Sequence, residues 1–263
     1  MSTSKTMCGA NARNGSRSLE RIIGPDQVQS TSTPLIRSMP TLNLNAAATK
    51  TPLYCFWFGK EMSSDQKKCF DSMVNTGLRV EIVTEQNVHQ FEHPMFPIHP
   101  GFAYLSATHK SDYLRCYFMH VHGGAYSDVK MHAHGASWVK HAAQMWADEN
   151  TWMVGAQEDH DTVQDLHEVA DNLWRVLRVT EFICRPRTPL TQEWFQELHR
   201  RMDNRLNDLN RFPARTPQQV RTVQYPYPFR WAEILCEILH PIMLKYAHHL
   251  RRGLPYHVNT PYR

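Results

Sequence analysis

The sequence predicts an α/β fold, a Rossmann-like mixed sheet flanked by helices in a single domain, on two observations. Short apolar runs of strand character alternate with helical segments over residues 52–249, the pattern that makes a sheet with helices on its faces. The chain also has 263 residues, 41% of them hydrophobic, enough to bury a sizeable core without disulfide or metal staples.

The elements follow in order. Leu53-Tyr54-Cys55-Phe56-Trp57-Phe58 is a continuous apolar run closed by Gly59, which suits a buried parallel strand. A helix is expected from Ser63 or Ser64 to Thr76, with Asp65 near its start and Gly77 as its stop. Residues 79–83 alternate in polarity and read as the second strand. Pro94, Pro97 and Pro100 mark a loop. Leu114, Tyr117, Phe118 and Val121 then fall at helical spacing, and Gly123-Gly124 ends that helix. Residues 125–129, 151–155 and 181–184 are further strands. Thr188 caps a helix with Pro189 at its first position, running to about Leu206. A last helix is expected over 230–239, restarting at Pro241 towards His249. There is no internal repeat.

Residues 1–50 are rich in Ser, Thr, Asn and Ala, with Glu20 and Asp26 their only acids. Such a stretch buries too little apolar area to offset chain entropy, so a disordered tail is expected before a domain at 51–263. Its Arg/Ser bias also fits an organelle transit peptide. No run approaches the roughly 18–20 apolar residues of a membrane span, and the polar start argues against a secretory leader. A cytoplasmic location is the expectation, with organelle targeting by the tail as the alternative.

Net charge is +4, with basic residues scattered among acids. Nucleic-acid binders concentrate such charge in a stripe, so nucleic acid is not an expected partner. Cys8, Cys55, Cys69, Cys116, Cys184 and Cys236 are widely spaced, without a Cys-x-x-Cys pair. They read as reduced thiols rather than a disulfide framework.

The segment with chemical character is Ser111-Asp112-Tyr113-Leu114-Arg115 followed by Gly123-Gly124-Ala125-Tyr126-Ser127-Asp128. Asp112 and Arg115 are three apart on a helix and share a face. The glycines turn the chain and leave little bulk where a ligand approaches. Asp128 falls at the end of a strand, where open α/β sheets hold their ligand crevice. Two carboxylates and a guanidinium are thereby aimed at one spot.

This segment resembles the donor-site region of retaining GT-A glycosyltransferases, a group including the family 32 sugar transferases with a DXD motif, capsular polysaccharide synthesis proteins and clostridial glucosylating toxins. Their pattern is Ser-Asp-x-x-Arg, a helix, then Gly-Gly-x-Tyr-x-Asp-x-Asp. Ser111, Asp112, Arg115, Gly123, Gly124, Tyr126 and Asp128 match it, and Tyr54-Cys55-Phe56-Trp57-Phe58-Gly59 looks like the family's opening strand. The likeness is strong over 105–130, fair over 52–83 and faint beyond.

The resemblance implies a GT-A-like domain that transfers a hexose, with retention, from a UDP- or GDP-linked sugar to a hydroxyl acceptor, as in polysaccharide biosynthesis. Asp112 and Arg115 would bond the donor sugar or its ribose and diphosphate. Gly124 and Tyr126 would lie beside the nucleotide. The strand near Phe56 and Trp57 would hold the base. Asp128 would be the first acid of the motif and the ligand of Mn²⁺ or Mg²⁺. The chain departs at Lys130, which stands where the second acid belongs. Three readings stay open: Asp128 holds a cation with help from the diphosphate, water and a distant carboxylate; the Lys130 ammonium takes over part of the cation's charge; or Lys130 faces solvent at a weak site. An alternative function is a catalytically inactive glycosyltransferase-like binding or scaffold protein.

Bland readings weigh against single residues. Asp112 alone is a helix carboxylate favoured by the dipole, and Arg115 its surface partner, a pair typically worth under ~1 kcal/mol. Trp57 is as readily core as platform. His120-x-His122 and His132-x-His134 lack a third ligand, which argues against a zinc hydrolase. Cys116, Cys184 and Cys236 read as buried thiols. The acidic run Glu158-Asp159-His160-Asp161, with Asp165, offers a metal ligand or a contact to the acceptor hydroxyl, but residue by residue it reads as a solvated loop.

Overall fold

The structure, a computed structural model, describes residues 43–133, 137–158, 167–255 and 257. Its strands are β1 (Leu53–Trp57), β2 (Val80–Thr84), β3 (Gly124–Ser127), β4 (Met153–Gln157), β5 (Leu177–Cys184) and β6 (Leu250–Arg252). They form one mixed sheet in the order β2-β1-β3-β5-β4-β6. β1 pairs in parallel with β2 and β3, and β4 with β6, while β5 runs antiparallel to both β3 and β4. Every strand but β5 therefore ends on the same edge of the sheet. That edge gathers Phe58, Glu85, Asp128, Glu158 and Arg252.

The helices are α1 (Leu44–Lys50), α2 (Ser64–Ser72), α3 (Ala107–Val121), α4 (Val139–Ala147), α5 (His167–Ala170), α6 (Pro189–Arg211) and α7 (Cys236–Lys245). The period-two alternation of strands assigns each face its cover. Tyr54, Phe56, Tyr126 and Phe182 join a core with α3, α6 and α7. Leu53, Cys55, Ala125, Val154 and Ile183 join a second core with α1, α2 and α4. Among the described residues no helix is long and apolar enough to cross a membrane.

Local chemistry explains the ends. Ser63 caps α2 through a reciprocal pair, its hydroxyl accepting from Gln66 N while Gln66 Oε1 accepts from Ser63 N. A 3₁₀ turn, Met73–Thr76, follows, and Gly77 closes it with φ 74°. Ser106 caps α3 by accepting from His109 N at 3.3 Å. Gly123, at φ 67°, donates its N–H to Phe118 O and stops the helix. Thr188 caps α6 ahead of Pro189, as the sequence indicates.

Several boundaries differ from expectation. Residues 44–50, placed in the tail by composition, form α1 behind an Asn43 cap and bury Ala47 against the second core. Residues 1–42 of the expected tail lie outside the described residues. The expected 230–239 helix is a run of turns up to Leu235, and α7 passes through Pro241 without restarting. Proline removes the N–H that would bond Glu237 O. The Arg201 guanidinium donates to that carbonyl instead, at 3.4 Å, so the helix continues. The strand β6 and the helix α4 were not expected: β6 has three residues, and α4 has no side-chain cap.

In β5 the ladder slips. Gly155 pairs with Phe182 and Gln157 with Leu177, two steps along β4 against five along β5. Residues 178–181 face Ala156 alone on β4, three more than a regular ladder places there, and the carbonyls of Val179 and Thr180 reach Arg115 and Asp128.

The diglycine at the start of β3 is set by packing. A Cβ on Gly123 would meet Pro186 Cδ at 2.4 Å, and one on Gly124 would meet Pro52 O at 2.8 Å, both at positive φ. Gly123→Ala is expected to lower unfolding free energy by at least about 2 kcal/mol. Gly59→Ala, whose Cβ finds only ordinary contacts from 3.6 Å, should stay within about 0.5 kcal/mol of wild type. Denaturant titration of both variants checks this, and equal losses would refute the assignment.

Candidate functional site

Helix α3 starts at the strand-end edge and runs back across the sheet, so its second turn brings Asp112 and Arg115 over the end of β3. The Arg115 guanidinium lies 4.6 Å from the centre of the Tyr126 ring. Its Nη2 donates to Asp128 Oδ1 at 3.1 Å and lies 3.5 Å from Asp112 Oδ1. Its Nη1 donates to Val179 O at 3.0 Å, using the carbonyl that the slip in β5 supplies. The Tyr126 hydroxyl donates to Asp128 Oδ1 at 2.6 Å and sits 3.2 Å from Ser111 Oγ. Asp128 N in turn donates to Thr180 O. Ser111, Asp112, Arg115, Tyr126 and Asp128 thus make one connected group.

Burial grades these residues. The side chains of Asp112 and Arg115 are 5% and 9% exposed, and that of Asp128 is 25% exposed. Asp128 and Ser111 are the members that reach solvent, and Arg115 and Tyr126 orient Asp128. Asp112 and Arg115, expected from the sequence to contact a ligand, are buried, and Arg115 engages Asp128 and Val179 O. Burial pushes the Asp112 carboxyl up to about 7, against the pull of Arg115 and with the push of Asp128. Burial works against charge on Arg115, yet Tyr126, Asp128 and Asp112 together raise its pKa and keep it protonated. Burial also raises the Tyr126 phenol well above its usual range, which keeps it a donor to Asp128.

The other expected residues fall into different settings. Phe56 stacks on Tyr126 at 5.0 Å and belongs to the core. Trp57 is half-buried against the second core, and its indole N–H donates to Lys60 O at 2.7 Å. Gly124 starts β3 and lies at the opposite end of that strand from Asp128, so its role is in the fold. Lys130, half-buried, follows Asp128 by two residues.

Chain comparison with family models, curated proteins and solved structures finds no match.

A divalent cation, implied by the resemblance, can be tested against the donor set. Asp128 Oδ1 already accepts from Arg115 and Tyr126, and the guanidinium separates Asp128 from Asp112. Among the described residues no group of three or more His, Cys, Asp or Glu is placed to hold a metal. Among the described residues Asp128 offers one carboxylate oxygen beyond those two bonds, so a cation there would draw its other ligands from the diphosphate and water. Asp159, His160, Asp161, Asp165 and His134 lie outside the described residues.

Beside Ser111, a groove of about 230 Å³ opens on the same edge. Phe58, Ser106, Lys110, Arg215 and Pro217 line it. Lys110 pairs with Glu85 at 2.9 Å and lies 5.6 Å from the Phe58 ring centre. This volume is below the roughly 300–1,000 Å³ of complete ligand pockets, and suits part of a ligand.

Sequence reasoning missed a polar cluster on the other side of Asp128. Glu181, opposite Ser127 in the β3–β5 pairing, is fully buried and bonds His257 Nδ1 at 3.0 Å. Arg178 bridges Glu181 and Glu158, each at 3.8 Å, and Glu158 approaches His240 at 3.3 Å. The expectation that Glu158 is solvated is corrected, because it is 4% exposed. His132, likewise buried, meets Ser127 Oγ at 3.0 Å, and burial lowers its pKa to about 4. No local signal marks these partners, which come from strands, a helix and a terminus far apart in the chain. Cys116 and Cys184 are buried thiols whose pKa burial raises, as expected.

The Asp112 shift has a measurable consequence. Its proton is held more tightly in the folded chain, near 7, than at the ordinary 3.8. The stability it confers is full below the ordinary value and is lost as pH rises through about 7. Asp112→Asn cannot titrate, so its unfolding free energy relative to wild type is expected to improve steadily across that window. Urea titrations at several pH values test this, and a difference that stays flat would refute the shift.

Proposed function

We propose that this chain is a GT-A-type glycosyltransferase that moves a hexose from a UDP- or GDP-linked sugar to a hydroxyl of a glycan acceptor, with retention. The observation that carries the reading is the grouping of Asp112, Arg115, Tyr126 and Asp128 at the end of the third strand. Exposed carboxylate oxygen is there pinned by a buried guanidinium and a phenol. The seven-position match to the donor-site pattern supports it, and retention rests on that resemblance alone. The neighbouring groove, with Lys110 and Arg215 in its lining, suits the anionic nucleotide portion of a donor.

The chemistry is positioning and leaving-group stabilisation. The bond between the anomeric carbon and the diphosphate breaks, and its electrons leave with the nucleoside diphosphate. The acceptor oxygen bonds the same face of that carbon, and its proton passes to a donor phosphate oxygen. No protein base is required. Asp128, held rigid by Arg115 and Tyr126, orients donor hydroxyls, while the Lys130 ammonium lies close enough in sequence to meet the growing negative charge. A divalent cation bound mainly by the diphosphate is the competing source of that charge.

A second reading, a non-catalytic binding or scaffold protein, is favoured by Lys130 in place of the second acid. One experiment separates them. Purified chain is incubated with UDP- and GDP-hexoses, with Mn²⁺ or with a strong chelator, and nucleoside diphosphate is measured together with the thermal midpoint. Release is expected, and Asp128→Asn should reduce it about 100-fold, measured below the variant's own thermal midpoint because Asp128 also compensates the buried Arg115 charge. Activity that survives chelation and is lost in Lys130→Ala assigns the charge to the lysine; activity that needs Mn²⁺ assigns it to the cation. A midpoint raised by a donor without release supports the binding reading, and neither effect with any donor sinks both.

A further inference from the structure

The far half of the strand-end edge carries a feature that donor chemistry does not use. Trp174 sits in a 3₁₀ turn, Leu173–Arg175, just before β5, and is 60% exposed. Large apolar side chains exposed to this extent are ordinary when scattered singly. This one is not isolated from charge. The guanidinium carbons of Arg175 and Arg252 each lie 5.8 Å from the centre of its ring. Arg175 comes from the same turn and Arg252 from the end of β6, so two separate elements bring cations to one indole.

The arrangement is anchored. Leu173 packs against the main core. Arg175 N donates to Asn172 O at 2.8 Å, and its guanidinium reaches Leu244 O on α7 at 3.4 Å. Neither arginine is ion-paired with a carboxylate among the described residues, whereas the neighbouring Arg251 reaches Asp148 at 3.5 Å. A held aromatic face with two cations beside it is suited to a flat apolar ring face that carries negative charge. A pyranose ring bearing a carboxylate or sulfate is such a group: its C–H face packs on the indole while its anion meets the guanidinium groups.

Position adds the link to the site. Strands β3, β5, β4 and β6 are successive neighbours, so Arg252 lies three strand spacings, roughly 14 Å, across the edge from Asp128. The indole and the Asp128 group thus share one edge of the sheet, with two strands between β3 and β6.

We propose that Trp174, Arg175 and Arg252 form a subsite for an anionic sugar unit of an oligosaccharide acceptor. The proposal rests on the glycosyltransferase reading for the word acceptor, but its test does not use activity. Binding of three tetrasaccharides to the full chain is measured by calorimetry without any donor: one of uronic acids, one sulfated, one neutral. At least one anionic probe is expected to bind about tenfold more tightly than the neutral one, and about tenfold less tightly to Trp174→Ala and to Arg252→Ala. Raising the salt concentration should weaken that binding. Which anionic probe binds identifies carboxylate or sulfate as the recognised group. Equal binding of all three probes, binding unchanged in both variants, or no binding of either anionic probe overturns the subsite. Binding of the expected kind in a chain that never releases nucleoside diphosphate would keep the subsite and remove the transfer.

Discussion

Arg115 is the point on which the site depends. A guanidinium 9% exposed has given up nearly all its water, and an uncompensated buried charge costs several kcal/mol. Compensation comes from three elements at once: Asp112 on its own helix, Asp128 and the Tyr126 ring from β3, and Val179 O from β5. Because each partner is held by its own backbone, the cation ties α3 and two strands to one geometry. Asp128 inherits that geometry, since its Oδ1 is fixed by both Arg115 and Tyr126. Its remaining exposed surface is offered in a single orientation.

The sheet supplies the rest of the order. Running β1, β2, β3, β4 and β6 in one direction puts their ends on one edge, and only there can distant residues assemble without crossing the core. The reversed strand β5 breaks the pattern usefully. Its slip against β4 leaves the Val179 carbonyl to Arg115, while Thr180 O holds the backbone of Asp128. The diglycine that accompanies Asp128 in sequence acts at the other end of β3, where Pro52 and Pro186 leave no room for a Cβ.

Charge is distributed unevenly along that edge. On the β1 side Lys110 and Arg215 line the groove. In the middle two acids share Arg115, and next to them two buried acids, Glu158 and Glu181, share Arg178. On the β6 side Arg175 and Arg252 flank an exposed indole. Cations at both flanks with an oriented acid between them are the charge pattern on which the proposed transfer and acceptor subsite rest.

The sequence by itself determined what short-range chemistry controls. The strand runs at 53–58 and 181–184, the helix start near Ser63, the cap at Thr188, and the glycine stops at Gly77 and Gly123 were readable because each depends on a few neighbouring residues. The meeting of Asp112, Arg115 and Asp128 was readable too, because helical spacing and the end of the next strand bring them together within one helix–strand unit. Tertiary structure alone decided how deeply that group is buried, and so how firmly Arg115 holds Asp128. It also decided that Glu158 is enclosed, that Pro241 lies within a continuous helix sustained by Arg201, and that Trp174 meets Arg252. Each of those contacts joins residues more than thirty positions apart, except the burial of Glu158, whose partners are Arg178 and the distant His240. Local periodicity carries no information about such pairs, because they are set by how whole elements stack on the sheet.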